Sequence, residues 1–158
     1  MKRLLMMSGL LSAFMLFVWA AVPAADFSGT WALDAAKSEG LPQQMQGDVT
    51  WVITQDAKTL KKEAKSAMAS TENYNLDGTE KTEDVTGRFS GKAKRTAKAM
   101  GEMLELTSVF TGEVNGNAFT MTTTQHLELA DGGKTLKVHQ VRESPRGTQE
   151  SKLVFTKK

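Results

Sequence analysis

The sequence predicts an all-β fold: an antiparallel, up-and-down meander of about 8–10 strands that closes into a barrel. Three turns in the C-terminal half carry this prediction. Asn115-Gly116 is a strong hairpin signal, because both residues tolerate a positive φ. Residues 131–134 (Asp-Gly-Gly-Lys) and 144–147 (Ser-Pro-Arg-Gly) mark two further hairpins. Closure into a barrel would hide the edges of such a meander.

The registers that these turns impose agree with one another. The first turn places Phe110 opposite Met121, the second places Leu127 opposite Val138, and the third places Val138 opposite Leu153. All three send the apolar residues to one face. A slip by one residue would turn each set outward, so the agreement supports the meander more strongly than residue propensities do.

The folded domain is expected to begin with a strand at residues 27–34 (Phe-Ser-Gly-Thr-Trp-Ala-Leu-Asp). Gly29 would let the backbone pass close to a neighbour, and Trp31 would lie buried at the base of the barrel. An irregular connection is expected up to Pro42. Residues 49–53 then predict a strand that buries Val49, Trp51 and Ile53 on one face.

Residues 59–70 fit two interpretations. Leu60, Ala64 and Met68 recur at helical spacing, whereas Leu60, Lys62 and Ala64 would share one face of a strand. We favour a strand because the neighbouring segments are strands. A further strand is expected at residues 74–76, before the turn at Asp77-Gly78.

Residues 1–24 are predicted to be a signal peptide. A basic start at Lys2-Arg3 precedes an uncharged, mostly apolar run, and Val22-Pro23-Ala24 offers small residues for cleavage after Ala24. A membrane anchor is the alternative, because the run approaches the roughly 20 residues that span a bilayer. No basic stop-transfer cluster follows the run, which favours cleavage and leaves no stable membrane anchor.

The mature chain, residues 25–158, has the length of one domain. The chain has no cysteine, which excludes disulfides and lipid attachment through cysteine. This composition fits a periplasmic or secreted bacterial protein. Loss of Lys2 and Arg3 with the leader lowers the 20 basic residues to 18, equal to the 18 acidic ones. A balanced charge predicts no binding to nucleic acid.

The first strand and the hairpins that run up to Leu153-Val154-Phe155 resemble the calycins, which are lipocalin-like or fatty-acid-binding-like barrels. More closely, the chain is similar to small secreted bacterial lipocalin-like domains. These open with Phe-Ser-Gly-Thr-Trp, here residues 27–31, followed by Leu33-Asp34 and residues 36–38 (Ala-Lys-Ser). They also have a late turn like residues 131–136. The resemblance covers nearly all of the mature chain.

Two family motifs are absent. The Thr-Asp-Tyr motif of lipocalins does not occur after the first strand. The Arg-x-Tyr clamp with which fatty-acid-binding barrels hold a carboxylate is not carried over, because Arg142 is followed by Glu143-Ser144. The resemblance therefore implies the fold but not the ligand class, which has to be inferred from the residues that face the barrel interior.

Alternation predicts which side chains enter the barrel. Lys92, Lys94 and Lys98 must face water, so Arg95 and the alanines between them (Ala93, Ala97 and Ala99) face inward. The registers then align six polar residues on the inner surface, which we predict to be ligand-binding: Arg95, Ser108, Thr123, Gln125, Gln140 and Arg142.

The predicted interior has this polar end and an apolar end formed by Leu104, Leu127, Leu129, Leu136, Val138 and Phe155. Small alanines leave room, and an inward arginine favours an anionic oxygen. A fatty-acid-like ligand with an apolar tail and an acidic head fits this pattern. The alternative is that the arginines reach water or pair with Glu105 or Glu150, and that side chains fill the barrel.

Other chemistries find little support in the sequence. His126 and His139 would be neighbours on the outside, but Glu128 is matched to Lys137 and no third zinc ligand is evident. We predict neither a metal nor a cofactor. Without a cysteine, a phosphate-binding loop or an activated serine, no catalytic site is expected. The lysines around Arg95 are expected to form a solvated strand face.

Two functions follow from these observations. The first is an exported lipocalin-like protein that binds a small amphipathic or hydrophobic ligand in its barrel. The second is an interaction or inhibitor module of an envelope enzyme, with a filled barrel and an unknown protein partner. The absence of the disulfide that known inhibitor barrels usually have weakens the second.

Overall fold

The computed structural model describes residues 25–86, 89–114 and 116–158. The predicted signal peptide and Asn115 of the first hairpin turn lie outside the described residues. No helix within these ranges is long and apolar enough to cross a membrane.

Ten strands make up the described chain and confirm the all-β prediction. Their bounds are β1 Gly29–Leu33, β2 Thr50–Gln55, β3 Thr59–Lys65, β4 Ser70–Asn75, β5 Lys81–Val85, β6 Gly91–Met100, β7 Met103–Val114, β8 Asn117–Ala130, β9 Thr135–Ser144 and β10 Gly147–Lys157. Short 3₁₀ turns lie at Ala35–Lys37, Gln43–Met45 and Asp131–Gly133.

All ten strands belong to one antiparallel sheet, in the order β4-β3-β2-β1-β10-β9-β8-β7-β6-β5. Except for β4 and β5, strands that follow one another along the chain are paired, and β1 pairs with β10, which closes most of the barrel. The sheet ends at β4 and β5, between which no ladder forms. There Asn73 Nδ2 donates to Glu83 Oε1 at 2.9 Å across the seam. The barrel is therefore nearly closed, with one seam held by side chains.

The predicted registers are confirmed. Phe110 lies opposite Met121, Leu127 opposite Val138, and Val138 opposite Leu153. The turn between β8 and β9 needs a left-handed backbone, with Asp131 at φ +53° and Gly132 at φ +64°. Glycine adopts such angles without a steric penalty, which explains the composition of this turn.

Residues 59–65 form β3, and β4 follows after a bend, so the strand interpretation of residues 59–70 is confirmed up to Lys65. The helical alternative fails because pairing with β2 and β4 buries the alternate positions Leu60 and Lys62. These neighbours supply hydrogen bonds along both edges of β3, which a short helix would not receive.

One end of the barrel is filled by apolar side chains. Trp31 is fully buried there, as predicted, and its Nε1 donates to the carbonyl oxygen of Phe27 at 3.0 Å. Lys157 Nζ lies 5.1 Å from the Trp31 ring centroid. A Cβ at Gly29 would lie 2.7 Å from Cε of Lys157, so this glycine gives Lys157 room to cover the tryptophan. Around them pack Leu60, Leu104, Leu106, Leu127, Leu136, Val138, Leu153 and Phe155.

The inward prediction for β6 needs one correction. Ala93 and Ala97 are buried as predicted, but Ala99 is exposed. Its position explains the difference, because β6 enters the tight turn to β7 at Met100, where the strand leaves the packed interior.

The segment between β1 and β2 is irregular, as expected, and runs along β10. Asp34 N donates to Val154 O at 2.8 Å, and Glu39 pairs with Lys152 in an isolated bridge. The segment then turns towards the open end of the barrel, where Met45 contributes to the wall of the interior cavity.

Candidate ligand-binding cavity

The barrel interior contains a cavity of about 230 Å³ at the end opposite Trp31. All six residues predicted to bind ligand line it: Arg95, Ser108, Thr123, Gln125, Gln140 and Arg142. The predicted apolar end is filled core, and the cavity lies at the polar end. The side chains of the barrel therefore fill only part of its interior.

The registers bring these six residues together as predicted. Arg95 on β6 lies opposite Ser108 on β7, Ser108 opposite Thr123 on β8, and Thr123 opposite Arg142 on β9. Side chains on these strands alternate between the two faces, so residues opposite one another share the inner face.

Arg142 carries a positive charge without a carboxylate partner. It is partly buried, and no described carboxylate lies within 4 Å of its guanidinium. Its Nε is buried and has no hydrogen-bond partner in the described chain. Burial lowers the pKa of Arg142, while the negative charge of Glu72 opposes this shift. An arginine nevertheless stays protonated in proteins, so the cavity holds a cation with unused donors.

Arg95 differs from Arg142 because its charge is already compensated. Its Nη1 donates to the Glu83 carboxylate, which reaches it from β5 beside the seam. The sequence-based alternative paired the arginines with Glu105 or Glu150, which is wrong. Those glutamates lie on the outside and accept from histidine rings.

The sequence analysis did not predict the polar network that Lys62, Glu72 and Tyr74 form in the cavity wall. Lys62 is 2% exposed, and its Nζ lies 2.9 Å from Glu72 Oε2. Tyr74 Oη donates to the same carboxylate oxygen. Lys62 Nζ also donates to Gln125 Oε1, and Gln125 Nε2 donates to Gln140 Oε1 at 2.7 Å. A continuous hydrogen-bonded chain therefore runs from β4 to β9 across the interior.

This chain shifts the pKa values of two of its members. Burial raises the pKa of Glu72, but the charge of Lys62 and the hydrogen bond from Tyr74 outweigh it and hold that pKa below its usual range. Burial and the neighbouring Glu72 carboxylate raise the pKa of Tyr74 well above 10.0. Both groups therefore keep their present charge near neutral pH.

The sequence did contain a signal for Lys62. It lies between Leu60 and Ala64 on the alternating face that the strand interpretation buries. A lysine on such a face predicts a carboxylate partner, because an unpaired ammonium is costly to bury. Glu72 occupies the matching position on β4, opposite Lys62 in the β3–β4 register.

The two ion pairs leave one uncompensated charge on the inner wall. Lys62 is paired with Glu72 and Arg95 with Glu83, so Arg142 supplies the net positive charge. Trp51 borders the cavity beside this network, with Lys62 Nζ 4.6 Å from its ring centroid. An apolar molecule with one negative charge is complementary to this wall.

The open end of the cavity is apolar. The rings of Phe110 and Phe119 have centroids 5.6 Å apart, and those of Phe119 and Phe89 have centroids 5.9 Å apart. Met68 borders the cavity and is 47% exposed. A ligand that places its charge near Arg142 would direct its apolar part towards these side chains.

Comparison with solved structures finds β-barrels of the same fold. Zebrafish ileal bile acid-binding protein, complexed with cholic acid, superimposes with a TM-score of 0.55 at 16% identity, covering 84% of this chain and 98% of that chain. The REP1-NXSQ fatty acid transporter gives 0.54 at 19% identity, covering 85% and 98%. Human cRBP IV gives 0.56 at 21% identity, covering 85% and 99%.

The fold is that of the calycin barrels. No protein-family model matches the chain, and no curated protein matches it. The more specific resemblance to secreted bacterial lipocalin-like domains therefore stays a prediction from the N-terminal motif.

Proposed function

We propose that this protein is an exported, periplasmic binding protein that holds a small amphipathic ligand in its barrel. The ligand carries one negative charge, which lies against Arg142, and an apolar part, which extends towards Phe110 and Phe119. The protein binds this molecule and performs no chemistry on it.

The observation that carries the proposal is the combination of Arg142 with an unfilled cavity. A partly buried guanidinium without a carboxylate partner loses hydration and gains little in return. An anionic head would supply the missing acceptor and stabilise the site. Because Arg95 is already paired with Glu83, we assign the head group to Arg142, with Arg95 as part of the surrounding wall.

The structural neighbours support a binding role. One is in complex with cholic acid and another is a fatty acid transporter, and both ligand names denote an acidic group on an apolar body. A cavity of about 230 Å³ lies below the roughly 300–1,000 Å³ of ordinary small-molecule sites. We therefore expect part of a long bound ligand to extend out of the cavity through its open end.

A titration with fatty acids of graded length tests the proposal. Trp51 borders the cavity, so its emission should change saturably as the ligand binds. Arg142→Gln should weaken binding by about 1.5–3 kcal/mol, or about tenfold to 150-fold, which is the scale of a hydrogen bond to a charged group. A neutral alcohol of the same length should bind equally to both proteins.

Arg146→Gln is the matched control, because Arg146 is exposed in the β9–β10 turn. It removes the same charge from the protein without touching the cavity, so affinity should stay unchanged. A fatty acid that binds wild type and Arg142→Gln equally would contradict the assignment of the head group. No saturable change for any chain length would contradict the binding proposal itself.

Export has its own test. The basic start and the small residues that end at Ala24 support cleavage of the leader. The intact mass of the protein purified from its source, measured by mass spectrometry, should therefore correspond to residues 25–158. A chain that keeps Met1 and stays in the membrane fraction would contradict export.

The alternative role as an interaction or inhibitor module would be favoured by an envelope enzyme that co-purifies with a ligand-free barrel.

A further inference from the structure

The hydrogen-bonded chain across the cavity has a direction. Lys62 Nζ can only donate, so the atom of the Gln125 amide that faces it must be the oxygen. The amide nitrogen of Gln125 then donates to Gln140 Oε1 at 2.7 Å. The chain therefore ends at Gln140 Nε2, an amide nitrogen that can only donate.

This last nitrogen has no acceptor within the described chain. Gln140 is 3% exposed and lines the cavity, and its only side-chain hydrogen bond there is the one that Oε1 accepts. An amide that is removed from bulk water without an acceptor costs free energy comparable to a lost hydrogen bond. An acceptor oxygen on a bound molecule would remove this cost.

Gln140 lies beside the proposed site for the acid group. Gln140 and Arg142 are alternate residues of β9 and share its inner face, so their Cα atoms are roughly 6.5–7 Å apart. The pair Gln125–Gln140 occupies the row between Thr123–Arg142 and the buried Leu127–Val138 row of the filled end. The free amide is therefore close to the acid group of the ligand and away from the open end.

A plain carboxylate has too few acceptor sites for these donors. The Arg142 guanidinium and the Gln140 amide together carry about seven N–H groups, whereas a carboxylate offers about four acceptor sites. The Nε of Arg95 is a further buried donor without a partner. An additional oxygen on the ligand would pair with donors that a plain fatty acid leaves free. That oxygen should be neutral, because Gln140 is uncharged and Arg95 is already paired with Glu83.

We propose that the ligand is an acid with a second, neutral oxygen, a hydroxyl or keto group, a few bonds from its acid group. Gln140 Nε2 donates to this oxygen while Arg142 holds the acid group. Lys62 and Gln125 orient the Gln140 amide so that its nitrogen is directed to the ligand. The inference rests on the proposed function, because it requires an acid group at Arg142.

Three fatty acids of equal chain length test this proposal on the wild-type protein, with Trp51 emission as the signal. The first is unsubstituted, the second has a hydroxyl on its third carbon, and the third has a hydroxyl on its last carbon. The better-bound enantiomer of the second should bind about threefold to tenfold more tightly than the first, the scale of one neutral hydrogen bond. The third should bind no more tightly than the first, because its hydroxyl would lie among the apolar side chains of the open end.

Gln140→Met tests the assignment to Gln140. Methionine has a similar length and removes both N–H groups, so the preference for the hydroxyl on the third carbon should disappear. The readout is the ratio of two affinities in one protein, which general damage to the cavity leaves unchanged when it weakens both acids equally. His139→Met is the control, because His139 is exposed on the outer face of the same strand and its replacement should keep the ratio. Circular dichroism verifies the fold of each variant.

The outcomes distinguish this inference from the proposed function. Equal binding of the first two acids, or equal benefit from a terminal hydroxyl, would overturn the second oxygen and leave acid binding at Arg142 intact. A preference that persists in Gln140→Met would overturn the role of Gln140. If Gln140→Met does not fold, the wild-type comparison of the three acids still decides whether the second oxygen is recognised. If none of the acids binds, the proposed function is wrong and this inference is wrong with it.

Discussion

Replacement of Trp31 by alanine should destabilise the barrel more than any surface substitution. Trp31 is fully buried in the filled end, and its indole donates a 3.0 Å hydrogen bond to the Phe27 carbonyl. A tryptophan buries about 150–250 Å², which at about 25 cal/mol per Å² is worth about 4–6 kcal/mol. Alanine keeps a small part of this area, and the surrounding side chains relax only partly.

We therefore expect Trp31→Ala to lower the free energy of unfolding by about 3–5 kcal/mol. Loss of the hydrogen bond leaves the Phe27 carbonyl unpaired and adds about 1 kcal/mol. Domains of this kind have a total stability of about 5–15 kcal/mol, so this variant should unfold at a clearly lower urea concentration. Circular dichroism in a urea series measures the shift without relying on the mutated fluorophore.

Two further variants of the chain serve as comparisons in this test. Trp31→Phe retains most of the apolar area and should lose less stability, which keeps the test usable if the alanine variant fails to fold. Gln149→Ala is the surface control, because Gln149 is exposed on β10, and should stay within about 0.5 kcal/mol of wild type. A loss below about 1 kcal/mol for Trp31→Ala would refute the packing of the filled end.

Two predictions concern the hydrogen-bonded chain across the interior. Tyr74 is the single tyrosine of the sequence, so the rise in ultraviolet absorbance at alkaline pH measures the ionisation of its hydroxyl group. Ionisation should begin well above pH 10 in the folded protein and near pH 10 in urea. Because the pKa of Tyr74 is raised in the folded protein, its contribution to the free energy of unfolding should be fully present below pH 10 and should be lost as the pH rises further. Ionisation near pH 10 without urea would contradict burial of the hydroxyl. Lys62→Met should cost about 3–5 kcal/mol at pH 7, because it leaves Glu72 unpaired in the interior. The folded pKa of Glu72 is lowered, so its stabilising contribution is present above about pH 4.5 and lost as pH falls through the folded pKa. The cost of Lys62→Met should therefore shrink in acid, and a cost that does not change between pH 7 and pH 3 would argue against the ion pair.

The registers could be predicted from the sequence because the turns and the apolar pattern both determine them. Asn115-Gly116 and the turns after β8 and β9 each set a pairing, and one face has to be apolar. These constraints also placed on the cavity wall all six residues that are predicted to bind ligand. Ala99 was misplaced because alternation alone does not show where a strand leaves the packed interior.

The polar pairs inside the barrel could not be predicted in the same way. Whether Arg95 meets a carboxylate depends on how β5 approaches the barrel, and Glu83 belongs to a strand without a strong sequence signal. Lys62 lay in the segment with two competing periodicities, so its burial depended on the choice between helix and strand. Both pairs join neighbouring strands, β3 with β4 and β5 with β6, whose pairing no strong turn signal in the sequence sets.

Native mass spectrometry of the protein purified from its own source tests the central claim most directly. We expect a species heavier than the chain by the mass of one small amphipathic acid, which organic extraction releases and fragmentation identifies. Arg142→Gln should be recovered mostly without this added mass, whereas Arg146→Gln should retain it. A wild-type protein that carries no added mass, and gains none after incubation with fatty acids of graded length, would contradict the account.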